Sequence, residues 1–497
     1  MRQYRAVTGV TSPEFSTAVG LLDSLARKEL SARELLDLHL SRIEAFNPTY
    51  NIVVEVAADE ARATAVAIDD ARARREELGP LAGLPMTIKD AFEVVGMKAT
   101  CGMTELANHA PTRDADAVER LRTAGAVIFG KTNVPAGAAD WQTCNAVYGL
   151  TRNPWDPKRT VGGSSGGSAA SVAAGFSALE LGSDIGGSIR VPSHFCGVFG
   201  HKPSYGIVSV RGHIPPLPGD LYTVPLGVAG PIARSAADLE LALGVLAGPN
   251  ELDRTGWRLD LPPSRHDLLS DFRAGIWLGG GSYPLDDGYR QALDSFAANL
   301  RGAGVQIAEV QPPFEPNDDY DVYLRTLFGI VGGPSPAEGA VLKGLAADDE
   351  TGYAMRLGEA MTASVGEWFG LLERREHLFR AFQDFFRGLD VLLCPAAMVV
   401  AFPHDIEESD GPHSTQLARR LTVSGERVPY FDNFMWPSIA TCSNLPATVM
   451  PTGRYVDGMP AGVQIIGPYL EDRTTLAFAR LVEDELGGFT APPAVEG

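Results

Sequence analysis

The chain has 497 residues, of which 45% are hydrophobic and 21% charged, as in an ordinary globular protein. Its formal net charge of −20 gives a surface that repels phosphate backbones and anionic lipid. The composition therefore excludes a protein built mainly to bind nucleic acid or membranes and favours a small neutral or cationic substrate.

The N-terminal part, residues 14–78, is predicted to be helical. Leucines at three- and four-residue spacing form an apolar stripe, and Ser31 with Glu34 forms a capping-box pattern. An alanine- and arginine-rich helix follows at about Ala57–Glu77.

Short apolar runs then alternate with helical stretches. Strands are predicted at residues 84–88, 126–129 and 179–182, with helices at 115–124 and 168–175 between them. This alternation indicates an α/β protein with a buried, mixed or parallel sheet.

The second half contains further strand patterns at residues 273–279, 305–310 and 391–393. The segment 313–425 is less regular and includes an amphipathic helix at 367–389. That helix is a candidate lid or pocket wall, but an aromatic stripe at helical spacing favours ordinary packing against a core.

Two serine-bearing glycine loops carry the strongest functional pattern. Residues 161–168 read Val-Gly-Gly-Ser-Ser-Gly-Gly-Ser, and residues 182–188 read Gly-Ser-Asp-Ile-Gly-Gly-Ser. Such loops let the backbone approach a ligand and direct successive N–H groups at one point. A serine beside these groups, with a lysine in reach, is typical of an acyl-transfer enzyme.

Two common loop motifs and a metal site fit this sequence poorly. Residues 163–167 match the G-x-S-x-G turn of α/β-hydrolases, but the preceding Asn153–Thr160 is a poor strand because it holds two prolines. A phosphate-binding loop needs Gly-Lys-Ser/Thr, and Ser168 and Ala169 stand there instead. The nine histidines show no ligand spacing, so neither a metal nor another cofactor is expected.

A serine nucleophile without an obvious histidine base can use a neutral lysine, and burial favours the neutral form. Three lysines follow apolar runs, namely Lys89, Lys131 and Lys202. For each of them alone, a structural lysine is the commoner case. Composition and spacing do not choose among the three.

The stretch from Gly83 to about Ser209 resembles the amidase signature family of serine hydrolases. The matching segments are Gly83-Leu84-Pro85 with Lys89-Asp90, Lys131–Pro135, Tyr148-Gly149 with Asn153-Pro154-Trp155, Gly162–Gly167, Asp184–Arg190 and Gly200–Pro203. A further match follows at Gly458–Gly467. The resemblance implies an α/β fold in which helices cover both faces of a central, mixed, twisted sheet.

The resemblance also implies roles by position. Ser188 would be the nucleophile, Ser164 a bridging serine on a cis peptide bond after Gly163, and Lys89 the terminal base. Protons would pass from Ser188 to Ser164 and on to Lys89. The N–H groups of Ile185, Gly186, Gly187 and Ser188 would form the oxyanion hole. The remaining implied site residues are the supporting residues Ser165, Asp184 and Arg190 and the substrate-binding residues Gly137, Ala138 and Trp141.

These features predict hydrolysis of a carboxylic amide to acid and amine through an acyl-enzyme on Ser188. Aryl or hydrophobic amides are favoured, as in an arylamidase, because Trp141, Tyr148 and residues 366–389 offer apolar walls. Esters and carbamates, the substrates of a urethanase, are also considered. The alternative is the A subunit of a tRNA-dependent amidotransferase, which would cleave glutamine and pass on ammonia. The acidic chain and the unusual residues at 136–138 argue against it.

Residues 1–497 are predicted to form one amidase domain, with an N-terminal helical part (1–78), a signature core (79–250) and a variable pocket or lid region (313–425). Five scattered cysteines without a C-x-x-C pair indicate a reduced, cytoplasmic protein. The first residues lack the apolar run of a signal peptide. The expected partner is a small amide, with no nucleic acid and no membrane, and a homo-oligomer is left open.

Overall fold

A computed structural model describes residues 12–220, 222–280, 283–331, 336–406 and 416–495. The expectation that the chain begins without a signal peptide rests on residues outside these ranges. No helix within them is long and apolar enough to cross a membrane.

A mixed sheet of 11 strands organises the described part of the chain. The order of its strands is β1-β3-β2-β4-β6-β5-β12-β13-β9-β7-β8, and β10 and β11 form a separate ribbon. The strands are β1 (Val53–Val56), β2 (Pro85–Lys89), β3 (Val127–Thr132), β4 (Leu179–Asp184), β5 (Phe199–Lys202), β6 (Val228–Ala233), β7 (Arg273–Ile276), β8 (Gln306–Glu309), β9 (Val391–Cys394), β10 (Arg420–Val423), β11 (Glu426–Pro429), β12 (Ala447–Val456) and β13 (Met459–Ile466).

Helices flank this sheet, as expected for the fold class. They are α1 (Ala18–Ala26), α2 (Ala32–Tyr50), α3 (Ala58–Ala73), α4 (Asp116–Thr123), α5 (Gly166–Ala173), α6 (Arg190–Cys196), α7 (Ala236–Leu246), α8 (Asp287–Gly302), α9 (Pro316–Val331), α10 (Pro336–Leu345), α11 (Tyr353–Met361), α12 (Val365–Phe385), α13 (Met435–Cys442) and α14 (Asp472–Leu486). The predicted capping box of Ser31 and Glu34 opens α2.

Several predicted elements need correction. Strand β1 interrupts the N-terminal region that was predicted to be helical, because its β-branched residues pair with β3 as an antiparallel edge strand. The described residues within 313–425 include the helices α9 to α12 and are therefore more regular than predicted. The amphipathic helix α12 ends at Phe385 rather than at residue 389.

The parallel strands β2 and β4 position the site. They lie side by side in register, with Thr87 opposite Glu180 and Ile88 opposite Leu181. Since the carboxyl ends of parallel strands meet at one edge of a sheet, Lys89 at the end of β2 lies beside the glycine loop that follows β4. The other glycine loop leads into the buried helix α5.

Candidate active site

Lys89 lies at the centre of a cluster of serine hydroxyls. Its Nζ is 2.7 Å from Ser164 Oγ, 3.0 Å from Ser165 Oγ and 2.9 Å from Ser183 Oγ. The side chain is fully buried. Burial disfavours the charged amine and lowers the pKa of Lys89 to about 7, although the nearby Cys101 and Asp184 act in the opposite direction. Near neutral pH a substantial share of Lys89 is therefore an uncharged base.

The first glycine loop brings Ser164 to this lysine. The peptide bond between Gly163 and Ser164 is cis. A Cβ atom on Gly163 would lie 2.3 Å from the carbonyl oxygen of Asp140, so only glycine allows this close approach. Ser165 ties the two loops together, because its N–H donates to the carbonyl of Ser188 at 3.0 Å and its hydroxyl donates to the carbonyl of Ser183 at 3.1 Å.

A buried ion pair holds the second loop. Arg190 Nη2 lies 2.8 Å from Asp184 Oδ1, and Arg190 also donates to Thr441 Oγ1 at 2.7 Å and to Gln464 Oε1 at 2.6 Å. Burial alone would raise the pKa of Asp184, but the charge and hydrogen bonds of Arg190 outweigh it and lower the pKa to about 2. The carboxylate stays charged and anchors the loop, where it also accepts from the Ile189 N–H at 3.0 Å.

The backbone N–H groups of this loop differ in availability. The N–H of Gly187 donates to Asp184 Oδ1 at 3.0 Å. The Gly187 N–H, which was predicted to be an oxyanion-hole donor, is therefore committed to the loop itself. In the described ranges the N–H groups of Ile185, Gly186 and Ser188 have no protein acceptor.

Ser188 and Ser164 face a common cavity of about 370 Å³. Gly137, Ala138 and Trp141 also line it, so the structure brings the predicted substrate-binding residues to the two serines. In the part of the chain that the structure describes, no hydrogen bond joins the hydroxyls of Ser188 and Ser164. Catalytic hydrogen bonds of this kind often tighten only when substrate binds.

The apolar wall of the cavity comes from unexpected residues. Leu327, Phe328, Ile330 and Val331 of α9 line it together with Phe434. Residues 366–389 and Tyr148, which were expected to form walls, are absent from the lining within the described ranges. Trp141 packs against Phe434 at a tilt, with ring centroids 4.1 Å apart, and its Nε1 donates to the Gly186 carbonyl at 3.0 Å.

Two site residues were missed by the sequence analysis. Ser183 was interpreted as loop packing, but its hydroxyl contacts Lys89 and also lies 2.7 Å from His213 Nε2. His213 follows a glycine ten residues after Pro203, just outside the matched segments, and lines the cavity. No sequence pattern marks it.

The other two candidate lysines lie elsewhere. Lys131 Nζ pairs with Asp90 Oδ1 at 3.0 Å and donates to the Phe92 carbonyl at 2.8 Å. Lys202 Nζ donates to the carbonyls of Pro203 and Leu445, at 3.0 and 2.8 Å. Neither contacts a serine hydroxyl among the described residues.

Comparison with known proteins gives near-complete matches. Residues 34–330 and 351–476 match the family described as Amidase. The A subunit of a glutamyl-tRNA(Gln) amidotransferase from Synechococcus sp. (strain CC9605) is 36% identical over 501 residues, covering 94% of this chain and 95% of that protein. Further relatives of the same name include one from Anaeromyxobacter sp. (strain K), which is 33% identical; the match covers 94% of this chain and 96% of that protein.

Two solved structures are similar as well. One, from work on a vestigial protein complex and the evolutionary origins of an s-triazine catabolic enzyme, has a TM-score of 0.79 and 30% identity and covers 94% of this chain and 98% of that one. A bacterial aryl acylamidase of the amidase signature family has a TM-score of 0.78 and 25% identity, with 95% and 96% covered.

These relatives correct two expectations. The preference for aryl or hydrophobic amides, esters or carbamates is wrong, because the curated relatives at 32–36% identity are amidotransferase A subunits. The alternative interpretation of the sequence is favoured instead. The expectation of no nucleic-acid partner is wrong as well, since the names of these relatives include a tRNA and describe one subunit of an enzyme. Net charge failed as an argument because it sums over the whole chain, whereas a separate subunit can supply the contacts to a tRNA.

Proposed function

Because the chain belongs to the amidase signature family and acts on amides, we propose that it is the A subunit of a glutamyl-tRNA(Gln) amidotransferase. It would cleave the side-chain amide of glutamine and release ammonia for transfer to a charged tRNA. The single observation that carries the proposal is the likeness at 32–36% identity, over more than nine-tenths of both chains, to A subunits of that enzyme.

The proposed chemistry starts with the serine pair. Ser188 Oγ attacks the amide carbon and passes its proton to Ser164, while Ser164 passes its own proton to neutral Lys89. The proton then returns along the same path to the leaving nitrogen, the C–N bond breaks, and ammonia departs. Water repeats the attack on the ester of Ser188 and releases the acid. The 2.7 Å contact between Lys89 and Ser164 supports this assignment.

The N–H groups of Ile185, Gly186 and Ser188 are proposed to bind the oxyanion that develops during both attacks. One such donor is typically worth about 10²–10³ in rate. Gly187 is proposed to shape the loop rather than to bind the oxyanion, because its φ of +92° lies in a region that favours glycine. Asp184 and Arg190 support the loop that presents the three donors.

The substrate amide is proposed to lie in the cavity beside Gly137, Ala138 and Trp141. The small residues Gly137 and Ala138 leave room for a glutamine side chain to reach Ser188. Asp140 and Gln416 add polar side chains to the lining of the same cavity. A compact cavity with a few polar groups in an apolar lining is typical of a small-molecule site.

Partner subunits complete the proposal. With a net charge of −20 this chain is poorly suited to hold a tRNA alone, so other subunits would supply the phosphate contacts. We also retain the prediction of a single amidase domain in a reducing, cytoplasmic setting. In support of that setting, none of the five cysteines, all of which lie in the described ranges, forms a disulfide.

The test is ammonia release from glutamine by the purified chain, alone and together with candidate partner subunits and glutamyl-tRNA(Gln). We expect release with partners present and amidated tRNA as the second product. Ser188→Ala should abolish both. Ser193→Ala is the matched control, because Ser193 is also buried and its hydroxyl donates to the Ile189 carbonyl at 2.7 Å.

Absence of glutamine turnover with partners and tRNA present would overturn the substrate assignment. If Ser188→Ala kept wild-type turnover, the assignment of the nucleophile would fail instead.

A further inference from the structure

His213 extends the hydroxyl cluster around Lys89 by one residue. Its Nε2 lies 2.7 Å from Ser183 Oγ, and Ser183 Oγ lies 2.9 Å from Lys89 Nζ. The imidazole also packs edge-on against Phe92, with ring centroids 4.9 Å apart. The mechanism above uses neither His213 nor Ser183.

The other ring nitrogen determines the tautomer. His213 Nδ1 lies 3.0 Å from the carbonyl oxygen of Pro215, and a carbonyl can only accept. Nδ1 therefore carries the proton, and in the neutral ring Nε2 is an acceptor. Burial, together with the charge of Lys89, lowers the pKa of His213 to about 4, so the ring is neutral near pH 7.

The direction of each neighbouring hydrogen bond follows. Because Nε2 accepts, the Ser183 hydroxyl donates its proton to His213 and can only accept from Lys89. The Ser165 hydroxyl donates to the Ser183 carbonyl at 3.1 Å, so it too can only accept from Lys89. A neutral amine has two N–H groups and one lone pair. Both N–H groups are thereby committed, and the lone pair is left for Ser164.

We infer that His213, acting through Ser183, directs the lone pair of Lys89 onto the hydroxyl of Ser164. His213 is a positioning residue in this arrangement. Without it, the Ser183 hydroxyl is free to donate to Lys89 and competes with Ser164 for the single lone pair. This inference rests on the proposed roles of Lys89, Ser164 and Ser188.

A fluorophosphonate ester tests the arrangement without reference to the natural amide. In this reaction Ser188 Oγ bonds to phosphorus, fluoride leaves, and the serine proton passes to Ser164. We expect His213→Leu to slow labelling of Ser188 about five- to tenfold, the effect of one net hydrogen bond. His213→Gln should restore most of the rate, because its side-chain oxygen can accept from Ser183.

A double-mutant comparison separates positioning from packing. In a Ser183→Ala background, His213→Leu should cause no further loss, since the competing hydroxyl is already gone. His109→Leu is the matched control: His109 hydrogen-bonds to Glu93 at 3.0 Å and is not among the cavity-lining residues. An equal loss from His213→Leu in both backgrounds would overturn the inference in favour of a packing role.

Nitrogen NMR of the wild-type protein gives a second measurement, which does not depend on the reaction rate of any variant. We expect the His213 ring to carry its proton on Nδ1 at neutral pH, with the signal assigned by its loss in His213→Gln. A proton on Nε2 would overturn the inference. If wild-type Ser188 is not labelled at all, the proposed site fails. If wild-type Ser188 is labelled and His213→Leu is labelled at the same rate, only the inference about His213 fails.

Discussion

Lys89 and Lys202 are both buried lysines, but their amines have different hydrogen-bond partners. Burial is the main cause that lowers the pKa of each to about 7. Lys202 contacts two carbonyl oxygens, which can only accept. Lys89 contacts three hydroxyls, one of which can donate to it. A depressed pKa therefore makes a base only where a partner has a proton to offer.

Removing each amine is the strongest way to test this contrast. We expect Lys89→Met to lower turnover by about 10²–10⁴, the usual contribution of a general base. Lys202→Met should leave turnover per folded molecule near wild type. The measurement is kcat on an accepted amide, or labelling of Ser188, corrected for the folded fraction. Similar losses of turnover in both variants would contradict the claim that the hydrogen-bond partners, rather than burial alone, make Lys89 the base.

Ser164→Ala removes the hydroxyl that distinguishes the two regions. It should cost nearly as much as Lys89→Met, and the double variant should be little worse than either alone, because relay members act as a unit. The comparison requires all three variants under one set of conditions. Additive losses would mean that Ser164 and Lys89 act separately.

The pH profile offers an intermediate effect. Lys89 must be neutral to accept a proton, so kcat/KM should rise about tenfold per pH unit below its pKa of about 7 and level off above it. Lys202→Met should keep this acid limb. A flat pH profile of kcat/KM between pH 5 and 9 would contradict the assignment of Lys89 as the base. Loss of the acid limb in Lys202→Met would contradict it as well.

The smallest expected effect concerns stability. Lys202→Met leaves two buried carbonyls without their donor, which costs about 1–3 kcal/mol. Folded Lys202 loses its proton near pH 7, whereas the unfolded chain keeps it to about pH 10.5. The unfolded state thus binds more protons in this window, so wild-type stability relative to Lys202→Met should rise as the pH rises from 7 to 10. Chemical denaturation at several pH values measures this difference.

Local patterns in the sequence were sufficient to predict much of this protein. Alternating apolar runs predicted β2, β3 and β4, and the capping box predicted the start of α2, because these depend on neighbours within a few residues. The ordered signature motifs identified the family and thereby its fold. The antiparallel pair β12 and β13 was not predicted, since its pairing depends on contacts distant in sequence, and β1 was missed inside a helical composition.

Tertiary structure decided what spacing could not. Three lysines follow apolar runs, and only the parallel register of β2 and β4 brings Lys89 to the serines. His213 and the α9 wall of the cavity also come from distant segments. The aryl-amide prediction failed because aromatic residues along the chain do not reveal which of them face the cavity, nor which amide the cavity admits. Chain patterns report local geometry and ancestry, whereas the partner of each buried polar atom is set only by the packed fold.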